Sequence, residues 1–133
     1  MRIADIEGIG SVYARKLAKV GIRSTDALLK QGATAKGRKE IVKASGIGHK
    51  LILEWVNLAD LYRVKGIGSE YSDLLEEAGV DTVVELGKRD PVKLNATMEQ
   101  DNQKKNLVNK MPGVKVVRKW VREAKKLPRV VKY

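Results

Sequence analysis

The sequence predicts an all-α fold in which short helices form a duplicated unit. Three observations support this expectation: apolar residues recur every three or four positions, glycines punctuate the chain, and two segments of the first half recur in the second. The apolar intervals are typical of amphipathic helices, and no stretch shows the sustained apolar-polar alternation of a half-buried strand. We therefore expect no β-sheet.

The duplication is visible residue by residue. Residues 6–22 (IEGIGSVYARKLAKVGI) align without a gap to residues 64–80 (VKGIGSEYSDLLEEAGV), at a spacing of 58 residues. Residues 45–61 align within residues 110–127 with a shift of 65, which superimposes the two tryptophans. The chain therefore reads as two copies of a two-part unit. Because the spacing grows from 58 to 65, the second half has about seven additional residues, which we assign to the stretch DPVKLNATMEQDN.

The repeat predicts three parts of the chain. These are a first helical unit at residues 1–61, a second at residues 62–127 and a basic tail at residues 128–133. With 133 residues, of which 43% are apolar, the chain can bury a core, either as one compact domain or as two small domains. Its evenly spread apolar residues argue against a disordered chain.

Local signals set the expected helix boundaries. Over residues 11–20, Val12, Tyr13, Leu17 and Val20 are predicted on one helix face, and Gly21 ends the helix because glycine adopts the left-handed cap conformation without strain. Ser24 or Thr25 is expected to cap the next helix, and Thr82 or Asp81 is expected to cap a helix of the second half. Gly32 and Gly79 are expected to end helices, and further helices are expected over residues 36–44 and 49–63.

The aromatic residues are expected to pack in the interior. Trp55 and Trp120 occupy equivalent positions on apolar helix faces, so we expect core packing for them rather than stacking on bases. The same interpretation holds for Tyr13 and Tyr71. His49, the single histidine, follows a glycine turn and is expected at the surface.

The charge distribution indicates an anionic partner, with nucleic acid as the first candidate. The net charge is +11, and residues 103–133 contain eleven lysines and arginines against one acid, Glu123. The preceding block shows the opposite pattern, with four acids and no base between Glu70 and Glu77. An acidic membrane surface or an acidic protein is the alternative partner for the basic surface, and the acidic block is expected to face a protein partner. Its members are Glu70, Asp73, Glu76 and Glu77.

Composition argues against several other classes of protein. The chain has no cysteine and one histidine, so we expect no metal site, no cofactor and no small-molecule substrate. Catalytic motifs are not found, and we expect no enzymatic activity. No apolar run approaches the ~20 residues of a membrane span, and Asp5 and Glu7 interrupt the region where a signal peptide is apolar. The expected location is cytoplasmic, without a membrane partner.

The glycine turns suggest how a nucleic acid is bound. An apolar residue, Gly-Ile-Gly and an amphipathic helix together resemble the helix-hairpin-helix motif of DNA-binding proteins. Two glycines let backbone amides at the helix start face a phosphate, where the helix dipole adds positive potential. The central Ile9, Ile47 and Ile67 are expected to anchor each turn in the core. The alternative is a tight helix connection that binds nothing.

The four copies of the turn are not equivalent. Two copies are basic, at residues 6–22 and 45–61. The copy at residues 64–80 is acidic, and we expect it mainly to pack in the core. The last copy has Met-Pro-Gly in place of the first glycine, but it has the densest positive charge. A solvated charged face is the alternative for this last copy. The candidate nucleic-acid-binding residues are Gly8, Gly10, Ser11, Arg15, Lys16, Lys19, Gly46, Gly48, Lys50, Gly113, Lys115, Arg118, Lys119 and Arg122.

The order of these segments also resembles a known family, domain of unknown function 4332. The resemblance runs from IEGIGSVYARKLAKVGI through GRKEIVKASGI to LPRVV, and WVNLADLYRVKGIG is its most specific part. It implies two tandem helix-hairpin-helix pairs and no assigned activity. The last helix departs from the family pattern, because it reads VVRKWVREAKK where the family has acids around the tryptophan.

These observations lead to one main hypothesis and one rival. The main hypothesis is sequence-nonspecific binding of duplex DNA through backbone phosphates, with structured RNA as the alternative nucleic acid. The rival is a protein interaction module in which the same helices serve only as a scaffold.

Overall fold

The computed structural model describes residues 1–6 and 8–133, so Glu7 of the first repeat lies outside the described residues. Regular structure in the described part is helical: one short 3₁₀ turn at Ile3–Asp5 and eight α-helices, with no β-strand and one isolated bridge, between Arg2 and Ser24. The expected all-α class is confirmed. The helices are α1 (Gly10–Lys19), α2 (Thr25–Gln31), α3 (Ala35–Ser45), α4 (His49–Leu61), α5 (Ser69–Glu77), α6 (Val83–Gly87), α7 (Pro91–Lys105) and α8 (Val114–Lys126).

The chain divides into two compact units. Unit 1 comprises Met1–Asp60 together with Val130–Tyr133, and unit 2 comprises Leu61–Arg129. The first junction lies within one residue of the boundary that the repeat predicts. The second junction lies inside the expected basic tail, so four of its six residues pack with unit 1.

Side chains cap four of the helices at their first turn. Ser24 Oγ accepts the amide of Ala27 at 3.1 Å at the start of α2, and Thr82 Oγ1 accepts the amide of Glu85 at 3.4 Å at the start of α6. Both caps were among the expected signals. Thr34 caps α3 in the same way, and Asp90 caps α7, whose first residue is a proline.

The glycine stops after α1 and α5 have the same geometry. Gly21 has φ 86° and Gly79 has φ 89°, the left-handed region that residues with a side chain rarely adopt. In α1 the amide of Ile22 donates to the carbonyl of Leu17 at 2.9 Å, and Val80 bonds Leu75 at 2.9 Å after α5. This is the Schellman pattern, which pairs carbonyls that the helix end leaves open.

One apolar position of α1 does not face the core. Val12 is 58% exposed, although the sequence predicted it on the buried face. The buried stripe instead runs through Leu17, with Tyr13 half-buried beside it. Because successive residues of a helix are about 100° apart, Val12 cannot share the direction of Tyr13 once that ring packs inward.

Each unit packs one tryptophan against one tyrosine. Trp55 lies 5.2 Å from Tyr13 in unit 1, and Trp120 lies 5.3 Å from Tyr71 in unit 2, measured between ring centroids. Both indoles are buried, which confirms their expected place in the core, and both tyrosines are half-buried. The three isoleucines of the Gly-Ile-Gly turns are also buried, as expected: Ile9, Ile47 and Ile67.

The stretch to which we assigned the additional residues of the second half, residues 90–102, lies almost entirely in α7. Leu94 and Met98 of this helix are buried in the core of unit 2. There α7 packs against α5 and α8, and α6 also packs against α8. Helix α8 is therefore held from one side only, and its opposite face is open to solvent.

Candidate nucleic-acid interface

Helix α8 has two chemically opposite faces. Its buried residues, Val117, Trp120, Val121 and Ala124, recur at intervals of three and four and pack into unit 2. Every lysine and arginine of the helix is exposed. The helix therefore presents a continuous cationic face, which consists of Lys115, Arg118, Lys119, Arg122, Lys125 and Lys126.

Two members of this cationic face were not among the predicted site residues. Lys125 and Lys126 continue the spacing of Arg118 and Arg122, since 122 to 125 and 122 to 126 are again steps of three and four. Both residues could therefore be predicted from the spacing of the sequence. Glu123, the single acid of α8, is half-buried and lies between the two faces.

Three helices that follow glycine turns, α1, α5 and α8, begin without a side-chain cap. The N-cap residues of α1, α5 and α8 are Ile9, Gly68 and Gly113, which have no side-chain acceptor and make no side-chain cap bond. The first amides of a helix have no acceptor within the helix. At α1, α5 and α8 no N-cap side chain accepts these amides, whereas α2, α3, α6 and α7 have such a cap.

The predicted residues of unit 1 lie along α1, in the turn that precedes it and around the start of α4. Gly8 and Gly10 have φ 90° and 70°, and both glycines are exposed together with Ser11. The side chains of α1 that follow are exposed as well: Arg15 Nε approaches the Ser11 carbonyl at 3.4 Å, and Lys16 Nζ lies 5.8 Å from the centre of the Tyr13 ring. The remaining predicted positions of unit 1, also exposed, are Lys19, Gly46, Gly48 and Lys50.

The structure thus divides the predicted residues between the two units. The set from Gly8 to Lys50 belongs to unit 1, and the set from Gly113 to Arg122 belongs to unit 2. Within unit 2 the four candidate lysines and arginines are exposed on one face of one helix, α8.

The acidic helix α5 is partly neutralised within unit 2. Glu77 Oε2 lies 2.7 Å from Nζ of Lys105, at the end of α7. Glu70 and Glu77 are exposed, whereas Asp73 and Glu76 are half-buried. On the surface that the sequence assigned to a protein partner, the carboxylate of Glu77 therefore already has a partner in the same unit.

The described residues contain neither a cluster that could bind a metal ion nor a helix that could span a membrane. Over residues 1–6 and 8–133, no three histidine, aspartate or glutamate side chains are grouped so that they could hold a metal ion. In the same part of the chain, none of the helices combines the length and the apolar character that crossing a membrane requires.

Comparison with known proteins identifies a family but no characterised relative. No curated protein and no solved structure matches the chain. The model of one family, described as Domain of unknown function (DUF4332), matches residues 7–127, which covers both units except for their outermost residues. The chain therefore belongs to the DUF4332 family.

Proposed function

We propose that this protein is a non-enzymatic, sequence-nonspecific binder of duplex DNA. The observation that carries the proposal is the cationic face of α8, which has six exposed lysines and arginines. The N-cap of this helix, Gly113, provides no side-chain cap. Cationic side chains and free helix amides bind phosphate oxygens, which are the same at every base pair. Such contacts give affinity without sequence preference.

We further propose that the glycine turns are helix-hairpin-helix elements in two tandem pairs. In support, the turns before α1 and α5 make equivalent hydrogen bonds: Ile9 donates to the Ile6 carbonyl at 3.3 Å, and Ile67 donates to the Val64 carbonyl at 3.2 Å. The matched Schellman stops and the two tyrosine-tryptophan pairs support the same relationship between the halves. A duplicated scaffold then has one strongly basic copy, at α8, and one acidic copy, at α5.

A duplex is favoured over a single strand because bases of a single strand need aromatic surfaces on which to stack. Both tryptophans are buried, and the large exposed hydrophobic residues include one aromatic, Tyr133. Structured RNA offers the same phosphates in a different groove geometry. It is therefore an alternative target that the experiment must include.

The test is fluorescence anisotropy of the full chain with two labelled 20-base-pair DNA duplexes of unrelated sequence, titrated at several salt concentrations. If six phosphates are neutralised, we expect equal affinity for both duplexes and a slope of log affinity against log salt of about −5. An RNA duplex and a single strand of the same length serve as comparisons. A large preference for one sequence contradicts the proposal.

The rival function, a protein interaction module, predicts a different result in the same experiment. In that case the full chain binds neither duplex at low salt, or binds heparin as tightly as DNA. If DNA binds weakly and heparin binds equally well, the interaction depends on charge alone. Either outcome removes the duplex-binding proposal and makes a protein partner at α5 or α8 the function to pursue.

A further inference from the structure

The connection that precedes α8 differs from the turn that precedes α4. Both connections follow a helix whose C-cap is left-handed, at Gly46 with φ 74° after α3 and at Asn106 with φ 51° after α7. The connection to α4 consists of residues 46–48, whereas the connection to α8 consists of residues 106–113, which we call the α8 loop. Because each ordered residue costs conformational entropy, the longer loop has more freedom to lose when it becomes fixed.

Local contacts close the short turn before α4. The hydroxyl of Ser45 donates to the carbonyl of Ile41 at 2.6 Å, and it accepts the amide of Ile47 at 3.2 Å. The amide of Gly46 donates to the carbonyl of Val42 at 2.9 Å. These partners lie within a few positions of one another in the sequence. The geometry of this turn is therefore a local property.

Side chains from other elements of unit 2 hold the α8 loop. Asn102, on α7, binds Val108 twice: its Nδ2 donates to the Val108 carbonyl at 3.1 Å, and its Oδ1 accepts the Val108 amide at 2.9 Å. The hydroxyl of Tyr71, on α5, donates to the carbonyl of Lys110 at 3.0 Å. Two points of the loop, two residues apart, are thus fixed from two different helices.

A third side chain fixes the loop where α8 begins. Asn95 Nδ2, on α7, donates to the carbonyl of Pro112 at 2.8 Å. Pro112 is buried and directly precedes Gly113, the N-cap of α8. The carbonyl of Gly113 in turn accepts the amides of Val116 and Val117, each at 3.1 Å. The bond from Asn95 therefore lies one residue before the first turn of α8.

We propose that Asn95, Asn102 and Tyr71 are positioning residues that pre-form the α8 loop, so that the cationic face of α8 binds a duplex without first becoming ordered. The proposal rests on the duplex-binding function proposed above. Lys115 lies two residues after Gly113, on the first turn of α8, and this turn can fray if the loop before it is mobile. A site that is already in its bound geometry has a smaller ordering cost on binding.

Loss of a positioning residue and loss of a phosphate contact have different effects on salt dependence. Removal of a cation that contacts a phosphate lowers the salt slope by about 1, because fewer counterions are released. Removal of a positioning bond leaves the number of phosphate contacts unchanged. The affinity then falls by the same factor at every salt concentration, and the slope stays constant. Asn95→Ala tests this directly because asparagine and alanine are both uncharged.

The experiment makes two measurements on the full chain. Fluorescence anisotropy gives the affinity for the two DNA duplexes described above at several salt concentrations, and hydrogen–deuterium exchange with mass spectrometry gives the protection of the α8 loop without DNA. For Asn95→Ala we expect exchange of the loop to be at least about threefold faster, and affinity to be weaker by about threefold to tenfold. The salt slope should stay within about 0.5 of its value for the unmodified chain.

Asn109→Ala is the matched control. Asn109 lies in the same loop, and its side chain is exposed, so the variant removes the same chemical group from a position that faces solvent. We expect it to change exchange and affinity by less than about twofold. A loss of affinity for Asn109→Ala as large as that for Asn95→Ala overturns the assignment of Asn95.

Three results for Asn95→Ala overturn the proposal. Faster exchange with unchanged affinity shows that order in the loop does not contribute to binding. Unchanged exchange shows that Asn95 does not hold the loop. A salt slope that falls by about 1 shows that the variant has removed a phosphate contact instead of a positioning bond.

Tyr71→Phe provides the test if Asn95→Ala does not fold. It keeps the ring beside Trp120 and removes the bond to the carbonyl of Lys110. We expect faster exchange of the α8 loop and a loss of affinity of about twofold to fivefold at constant slope. Faster exchange with unchanged affinity overturns the proposal for this variant as well.

The unmodified chain distinguishes failure of this inference from failure of the proposed function. If the unmodified chain binds neither duplex, both proposals are overturned. If it binds both duplexes with the expected slope and Asn95→Ala binds them equally tightly, the positioning role is overturned and duplex binding remains.

Discussion

The ring of Tyr71 lies 5.3 Å from the ring of Trp120, and the Tyr71 hydroxyl donates a hydrogen bond to the backbone carbonyl of Lys110 at 3.0 Å. This one side chain therefore joins α5, the loop that precedes α8, and the buried side of α8 itself. The residues that pack around Trp120, on the buried face of α8, therefore fix the position of the cationic face.

Removal of that indole should destabilise unit 2 strongly. For Trp120→Ala we expect a loss of about 3–5 kcal/mol in the free energy of unfolding, because the ring is 2% exposed and its removal leaves a cavity. Guanidinium denaturation followed by circular dichroism measures the loss. Trp55, the other tryptophan of the chain and a residue of unit 1, reports by fluorescence whether unit 1 remains folded.

Tyr71→Phe is the matched control for this variant. It keeps the ring contact and removes an exposed hydrogen bond, so the expected loss is about 0.5–1.5 kcal/mol. A loss below about 1 kcal/mol for Trp120→Ala would show that the indole does not organise the core of unit 2.

Neutralisation of the α8 face should weaken duplex binding more than neutralisation elsewhere. The variant with Lys115, Arg118, Lys119 and Arg122 changed to glutamine should reduce the salt slope by about 3 to 4, because each phosphate that is no longer neutralised lowers the slope by roughly one. The control changes four exposed lysines of unit 2 outside α8 to glutamine, and it lowers the net charge equally. These residues are Lys65, Lys88, Lys93 and Lys104. Equal effects of the two variants in the anisotropy assay would refute the assignment of the surface.

Reversing the charge of Glu70 on α5 tests whether the turn before this helix can bind a phosphate when the acidic side chain no longer repels it. Glu70 lies two residues after Gly68, the position that Lys50 occupies after Gly48 and Lys115 after Gly113. Because α5 also begins without a side-chain cap, Glu70→Lys should strengthen duplex binding by about threefold to tenfold at low salt, with a steeper salt slope. Glu99→Lys makes the same charge change at an exposed position of α7. If Glu99→Lys strengthens binding as much, the turn itself contributes nothing.

Substitution of Gly37 in α3 should destabilise the protein, because this residue packs closely against the end of α2. A Cβ atom at Gly37 would collide with the backbone carbonyl oxygen of Gln31, at the end of α2. We expect Gly37→Ala to cost about 1–3 kcal/mol in thermal or denaturant unfolding, although alanine ordinarily favours a helix over glycine. Gly48→Ala meets no atom within 4 Å and should cost less than about 1 kcal/mol. A Gly37→Ala variant as stable as the unmodified chain would show that α2 and α3 can separate without cost.

The helical class, most helix ends and the main core positions are predictable from the amino-acid sequence alone. Ser24 and Thr82 cap helices, Gly21 and Gly79 end them, and Trp120 is buried. These features are predictable because they follow from local physics: a helix repeats every 3.6 residues, its first amides need acceptors, and its last turn favours a residue that tolerates positive φ.

Other features follow only from the packing of residues that are distant in the sequence. Val12 is exposed because Tyr13 packs inward, and Glu77 is paired because α7 ends beside α5. Arg38, a residue type that is rarely buried, lies in the interior because the carbonyls of Gly32, Ala33 and Lys132 converge on its guanidinium. Residues 38 and 132 are 94 positions apart in the sequence, and no periodicity or local motif connects them. Their contact depends on where the chain returns after α8, which is fixed by packing and not by local sequence.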